Sequence, residues 1–183
     1  MTAETWHIPL GRSYYTIRQA LNTMDSFKLS QDDVPFIIRL FENPKYNLLP
    51  GAVTLQNHDI IHVLLSRGLL VKDEAFVIGF TMGTARRLNV LNKAIFKFVT
   101  RYLYPAGYKF YTDEFEIFEQ GIRCAKKMGC KSFARMDLTK YLDYTIENAR
   151  NELGIDIDIL REAYAIEYDK FDSPESQRLL TWI

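Results

Sequence analysis

The sequence predicts an all-α fold, a single-domain bundle of about seven or eight helices over residues 1–183. Apolar residues recur mainly every three or four positions, which is the helical period. Residues typical of helix starts and stops separate these stretches, and no alternating strand pair with a hairpin turn interrupts them. The length of 183 residues, with 48% apolar and 25% charged residues, suits one ordinary soluble globular domain.

The first half of the chain is predicted to contain four helices. Asn43-Pro44 and the Leu49–Gly51 segment are turn sequences that bracket a loop after the second of them. The four predicted helices are one ending near Met24, one from Val34 to Phe41 behind a capping box at Ser30 and Asp33, one from Val53 to Arg67 with Gly68 at its C′ position, and one from Glu74 to about Tyr104 behind an Asp73 N-cap.

The second half is predicted to contain three helices and a less regular tail. One helix begins at Thr112 and ends near Met128-Gly129. A second runs from about Leu138 to Leu153, where Gly154 stops it, and a third runs from about Ile157 to Ile166. The tail from Glu167 has weak periodicity, so we expect it to be less regular.

Composition limits the classes of function and the location. Lys plus Arg and Asp plus Glu both number 23, which argues against a protein that coats nucleic acid. Cys124 and Cys130 are expected to be free thiols in a reducing compartment. No secretory signal or membrane span is recognised, so we expect a cytoplasmic protein that can touch a membrane surface peripherally.

Two of the three histidines, His58 and His62, stand at positions i and i+4 of a predicted helix, which stacks both imidazoles on one face. Asp59 can turn towards the same space, and Glu74 follows at the start of the next helix. Two imidazoles with one or two carboxylates suit Zn²⁺, Fe²⁺ or Mn²⁺, and Mg²⁺ less naturally. The alternative, left open by spacing alone, is that the histidines are core residues and that Asp59 and Glu74 are helix charges.

The combined spacing resembles a known family signature. His58-Asp59-x-x-His62, eleven further residues and then Glu74 resembles the motif of the ubiquinone (coenzyme Q) biosynthesis protein four family. The match continues through Ala75, Gly79 and Met82 and covers about residues 50–82, whereas nothing of the family is recognised from about Leu153 onwards.

The resemblance implies that His58, Asp59, His62 and Glu74 are metal ligands, with Asp59 and Glu74 also catalytic. It implies a metal-dependent lyase that removes the C1 carboxyl of a prenylated quinone precursor with hydroxylation there, working with other quinone biosynthesis proteins at a membrane. The alternative is a non-catalytic scaffold that binds prenyl lipid. The metal, the ring substrate, the role of Asp59 and whether the protein forms a homo-oligomer are left open by the sequence.

A glycine pair and a cationic stretch are candidates for lipid or phosphate binding. Gly79 and Gly83, one turn apart, would let another helix or a flat isoprenoid chain come close. Residues 75–112 carry six basic residues and no acid, beginning with Arg86 and Arg87. As one helix, this stretch would present a cationic stripe to an anionic membrane or lipid phosphate, or to acids elsewhere in the protein. Nucleic acid is not an expected partner.

Overall fold

The computed structural model describes residues 5–24, 49–134 and 136–180. Within these ranges the regular elements are helical, without a strand, and one isolated β-bridge joins Thr16 to Thr145. The predicted all-α bundle is therefore confirmed, while the predicted helix at Val34–Phe41, its capping box and the Asn43-Pro44 turn lie outside the described residues. The elements are α1 (Ile17–Asn22), α2 (Leu55–Leu65), α3 (Val71–Gly83), α4 (Val90–Phe98) continued by a π-helical turn (Val99–Leu103), a 3₁₀ turn (Ala106–Tyr108), α5 (Thr112–Met128), a second 3₁₀ turn (Leu138–Tyr141), α6 (Ile146–Leu153), α7 (Ile157–Lys170) and α8 (Pro174–Gln177).

The helices α3 and α5 form the closest packed pair of the bundle, and glycines make that contact possible. A Cβ added at Gly79 of α3 would lie 2.1 Å from the Phe118 carbonyl oxygen of α5. A Cβ added at Gly121 of α5 would lie 2.4 Å from the Phe76 carbonyl oxygen of α3. Because backbone meets backbone here, α3 is held against the centre of a core that also contains the buried rings of Phe76 and Phe118.

The end of α2 differs from the prediction. Ser66, not Gly68, adopts the left-handed conformation (φ 55°) that terminates the helix. Its hydroxyl accepts a hydrogen bond from Arg150 Nη2 at 2.8 Å, which fixes this unusual backbone for a serine. Glycine is required at position 68 for a different reason, since a Cβ there would lie 2.5 Å from the backbone carbonyl oxygen of Trp6, as well as against the Arg178 guanidinium.

The long helix predicted from Glu74 to about Tyr104 is wrong at both ends. It begins three residues earlier, at Val71, and Asp73 lies in its first turn, where its Oδ2 accepts the Leu70 N–H at 3.1 Å. It ends at Gly83, and a new helix starts at Val90 because the Asn89 side chain accepts the Asn92 N–H at 2.9 Å. Apolar periodicity alone missed this break because both helices contribute to one core.

The second half of the chain follows the prediction more closely. The helix Thr112–Met128 is confirmed, with Gly129 left-handed at its end (φ 66°). The predicted start at Leu138 is wrong because residues Leu138–Tyr141 form a 3₁₀ turn, and Thr145 caps the separate helix that ends before Gly154. The last predicted helix extends to Lys170 instead of Ile166, and a short helix, α8, follows in the tail that was expected to be less regular.

Both cysteines are free, as predicted, with Cys124 buried and Cys130 half-buried. Burial raises the pKa of the Cys124 thiol to about 11 and that of Cys130 to about 12. Both therefore stay protonated and weakly nucleophilic at neutral pH. No helix in the described part of the chain has the length and apolar character that crossing a bilayer requires.

The glycine contact between α3 and α5 gives a stability prediction. Gly79→Ala should lower the free energy of unfolding by about 1–3 kcal/mol, because the new methyl group must displace the backbone of Phe118. Gly107→Ala is the matched control, since nothing lies within 4 Å of a Cβ at that position. Denaturant unfolding of both variants measures the difference, and equal stabilities would contradict the close contact.

Candidate metal centre

Helices α2 and α3 bring together His58, His62 and Glu74. Thr54 starts α2 by accepting the Asn57 N–H on its hydroxyl at 3.3 Å, which sets the register of both histidines. Glu74 lies in the first turn of α3, where the helix dipole favours a carboxylate. One ligand atom from each residue lies within 4.8 Å of the others, so the group could hold a metal ion. These are three of the four residues predicted to be metal ligands.

The separations within the group match neighbouring ligands of one metal. His58 Nε2 lies 2.9 Å from His62 Nε2 and 2.9 Å from Glu74 Oε2, and His62 Nε2 lies 3.3 Å from Glu74 Oε1. Bonds of about 2.1 Å at right angles would place neighbouring ligand atoms about 3.0 Å apart, against about 3.4 Å for tetrahedral angles. The observed separations of 2.9 to 3.3 Å lie close to both values, so the group fits one metal ion in either geometry.

The orientation of His62 is fixed by the loop between the two helices. Its Nδ1 lies 2.6 Å from the Gly68 carbonyl oxygen, and its side chain is fully buried. A carbonyl only accepts hydrogen bonds, so Nδ1 carries the proton and donates it. In the neutral tautomer that keeps this proton, the lone pair lies on Nε2, the atom that faces His58 and Glu74, and this is the tautomer a metal requires.

The charge and exposure of the group favour cation binding from one side. Burial raises the pKa of Glu74, but His62 and His58 outweigh this effect and hold it well below its usual range. The carboxylate is therefore ionised at neutral pH and supplies the negative ligand. His62 has no exposed side-chain surface, whereas His58 is 17% and Glu74 30% exposed, so the group opens towards solvent on the side of these two residues.

Asp59, the fourth predicted ligand, is half-buried on α2 beside His58. It does not belong to the group of three residues whose ligand atoms converge within the described part of the chain. Its predicted role as a ligand, proton acceptor or orienting residue stays a prediction.

The residues predicted to bind lipid or phosphate lie away from this group. Gly79 packs against α5, and a Cβ at Gly83 would lie 2.9 Å from the Ala125 Cβ of the same helix. Gly83 ends α3 about 14 Å along the axis from Glu74, and the exposed Arg86 and Arg87 lie beyond it. The structure thus does not bring these four residues to the metal ligands, and lipid binding by them stays a prediction.

The predicted cationic stripe is wrong as a single helical face. Arg86 precedes α4, so it does not share a helix with the later basic residues. Lys93 and Lys97 both bind Glu119 of α5, at 2.9 and 2.8 Å. For these two lysines, the predicted alternative of pairing with acids elsewhere in the protein is therefore confirmed.

A buried charge network behind the metal ligands was not predicted. Arg67 is fully buried, and its two terminal nitrogens bind the Glu167 carboxylate at 2.9 and 2.5 Å. Its guanidinium also lies 4.0 Å from the Phe76 ring centroid and 4.4 Å from that of Tyr164. Breaking such a pair by removing one charge typically costs about 3–5 kcal/mol. A hundred positions separate the two residues, so no local spacing in the sequence signals the pairing.

Comparison of the chain with protein-family models, with curated proteins and with solved structures finds no match in any of the three. The fold and the site define an all-α protein with a partly buried His-His-Glu group that could hold a metal ion. The resemblance to the ubiquinone biosynthesis protein four family therefore rests on the motif alone, and membership of that family stays a prediction.

The geometry predicts stoichiometric binding of one divalent ion by His58, His62 and Glu74. His62→Ala and Glu74→Ala should each abolish it, because each removes one of three converging ligands. His7→Ala is the control, since this remaining histidine is outside the group and should leave the bound metal unchanged. Elemental analysis after dialysis, with far-ultraviolet circular dichroism to verify folding, makes the measurement. Folded His62→Ala protein with undiminished metal would contradict the site.

Proposed function

We propose that this protein is a metal-dependent enzyme of quinone biosynthesis that removes the C1 carboxyl group of a prenylated precursor oxidatively. The observation that carries the proposal is the convergence of His58, His62 and Glu74, because these residues also supply the motif spacing that resembles the ubiquinone family. Two imidazoles and one carboxylate suit Zn²⁺, Fe²⁺ or Mn²⁺, and Mg²⁺ less naturally.

The reaction balances with dioxygen as the only co-reactant. For a prenylated 4-hydroxybenzoate, the bond from C1 to the carboxyl carbon breaks and CO₂ leaves. One oxygen atom of O₂ is added to C1, the other leaves as water, and the ring reaches the oxidation level of the quinone. A metal held by His58, His62 and Glu74 would supply activation of oxygen or polarisation of a ring oxygen.

Each residue of the candidate site has a separate role in the proposed reaction. His62 and His58 present ring nitrogens, and the ionised Glu74 supplies the negative charge that offsets the cation. The loop carbonyl of Gly68 keeps the proton of His62 on Nδ1, away from the ligand side. Asp59 beside them is the candidate to accept the proton of the ring hydroxyl.

Turnover separates this enzyme from the alternative, a non-catalytic scaffold that binds prenyl lipid. Metal-loaded protein should release labelled CO₂ from prenylated 4-hydroxy[carboxyl-¹⁴C]benzoate under oxygen. His58→Ala should abolish release because it removes a ligand, while Asp169→Asn, an exposed acid on α7, should leave the rate unchanged. Tight binding of the prenylated compound without CO₂ would favour the scaffold and contradict the enzyme.

We also propose that the protein attaches peripherally to anionic membranes through α4 and the π-helical turn after it. One face of α4 and the turn after it carries four exposed apolar side chains, spaced at i, i+4, i+7 and i+11. They are Leu91 (66% exposed), Ile95 (39%), Phe98 (57%) and Tyr102 (65%). Lys93 and Lys97 of this segment bind Glu119, so the attraction to anionic lipid would come from Arg86, Arg87 and Arg101 of the acid-free stretch 75–112. Exposed apolar side chains beside cations suit the interface of an anionic bilayer, where prenylated precursors reside.

Vesicle sedimentation tests the attachment. The protein should bind vesicles that contain phosphatidylglycerol more tightly than vesicles of phosphatidylcholine alone. Leu91→Ser with Phe98→Ser should weaken binding at least about tenfold, because each side chain loses apolar area that enters the bilayer.

Tyr14→Ser is the matched control, since Tyr14 is 66% exposed before α1, away from α4. Equal binding by all variants would contradict the attachment. A lipid-free dimer that the double variant disrupts would assign this face to a second copy of the chain instead.

A further inference from the structure

The loop between α2 and α3, residues 66–70, contacts one of the three candidate metal ligands and the residue that precedes another. The Gly68 carbonyl of this loop binds His62 Nδ1 at 2.6 Å. At the other end of the loop, the Leu70 N–H donates to Asp73 Oδ2 at 3.1 Å, and Asp73 directly precedes Glu74. A displacement of the loop would therefore turn the His62 ring and shift the first turn of α3.

Arg178, near the end of the described chain, contacts both parts of this loop region. Its Nη2 binds Asp73 Oδ2, and only 11% of its side chain is exposed. The guanidinium also lies against Gly68, where an added Cβ would stand 1.9 Å from Nη2 and 2.7 Å from Cζ. One planar cation thus abuts the residue that orients His62 and binds the residue that precedes Glu74.

The contacts of Arg178 are anchored by the tail that carries it. Ser176 of α8 is buried, and its hydroxyl donates to Glu167 Oε1 at 3.1 Å. Glu167 in turn binds Arg67, whose Nη1 lies 3.8 Å from Asp73 Oδ1. The carboxylate of Asp73 is fully buried and has one arginine on each side, Arg67 at Oδ1 and Arg178 at Oδ2.

We propose that Arg178 is a positioning residue for the metal centre, which holds Gly68 and Asp73 so that His62 and Glu74 face one another. The inference rests on the proposed metal site and extends it to the C-terminal segment, where the sequence showed no part of the motif. Arg178 acts through the loop, by its contacts with Gly68 and Asp73.

The test uses Co²⁺ as the probe metal, because its visible absorption reports the coordination geometry and competition with a chelator reports affinity. Arg178→Met keeps the stem of the side chain and removes the planar cation. It should weaken Co²⁺ binding by about 10–100-fold and change the visible spectrum, as loss of a group that orients ligands does. Arg178→Lys should give an intermediate affinity, since it keeps a charge for Asp73 but not the planar contact with Gly68.

Leu179→Ala is the control for general destabilisation, because this buried neighbour packs in the core and is not part of the polar network. It should lower stability while leaving the Co²⁺ spectrum and affinity unchanged. If Arg178→Met fails to fold, Arg178→Lys decides, and wild-type affinity and spectrum in Arg178→Lys would then overturn the proposal.

The outcomes separate this inference from the proposed function. Absence of Co²⁺ binding by the wild-type protein would overturn the metal site itself. Wild-type binding with an unchanged affinity and spectrum in folded Arg178→Met would overturn the positioning role alone. Equal loss of affinity in Leu179→Ala and Arg178→Met would also overturn it, because stability and not orientation would then explain the effect.

Discussion

The need to compensate buried charge at the junction of α2 and α3 is the constraint on which the rest of this structure depends. Arg67 and Asp73 are fully buried, and an isolated charge in an apolar interior is costly by several kcal/mol. Glu167 of α7 pairs with Arg67, and Arg178 after α8 pairs with Asp73. Both α7 and the end of α8 must therefore lie at this junction. The aromatic rings of Phe76 and Tyr164 complete the shell around Arg67, so core packing and charge compensation act at one place.

Two adjacent carboxylates at this junction have different roles because successive residues of a helix point about 100° apart. Asp73 points into the protein, where it is fully buried between two arginines. Glu74 points towards the histidines and is 30% exposed. The buried ion network and the candidate metal centre thus use adjacent residues. Because the network fixes the backbone at Asp73, it also fixes the position of Glu74.

The sequence predicted the residues of the candidate metal centre but not the buried charges packed beside it. Because His58 and His62 are four residues apart on one helix, their side chains lie on the same face however the helix packs. Glu74 was predicted at the start of the next helix, and its carboxylate lies within 3.3 Å of both histidine nitrogens. Arg67, Glu167 and Arg178 were missed because their pairing spans about a hundred positions and leaves no periodic signal.

By itself the sequence determined the helical class, the helix Thr112–Met128 and the residues that converge as candidate ligands, because periodicity, caps and i, i+4 spacing act over a few residues. Only the tertiary structure decided that α3 ends at Gly83, that Ser66 ends α2, and that α7 continues to Lys170. Contacts with distant residues accompany two of these boundaries, Arg150 on Ser66 and Arg67 on Glu167. These contacts join residues 84 and 100 positions apart, so no local pattern in the sequence signals them.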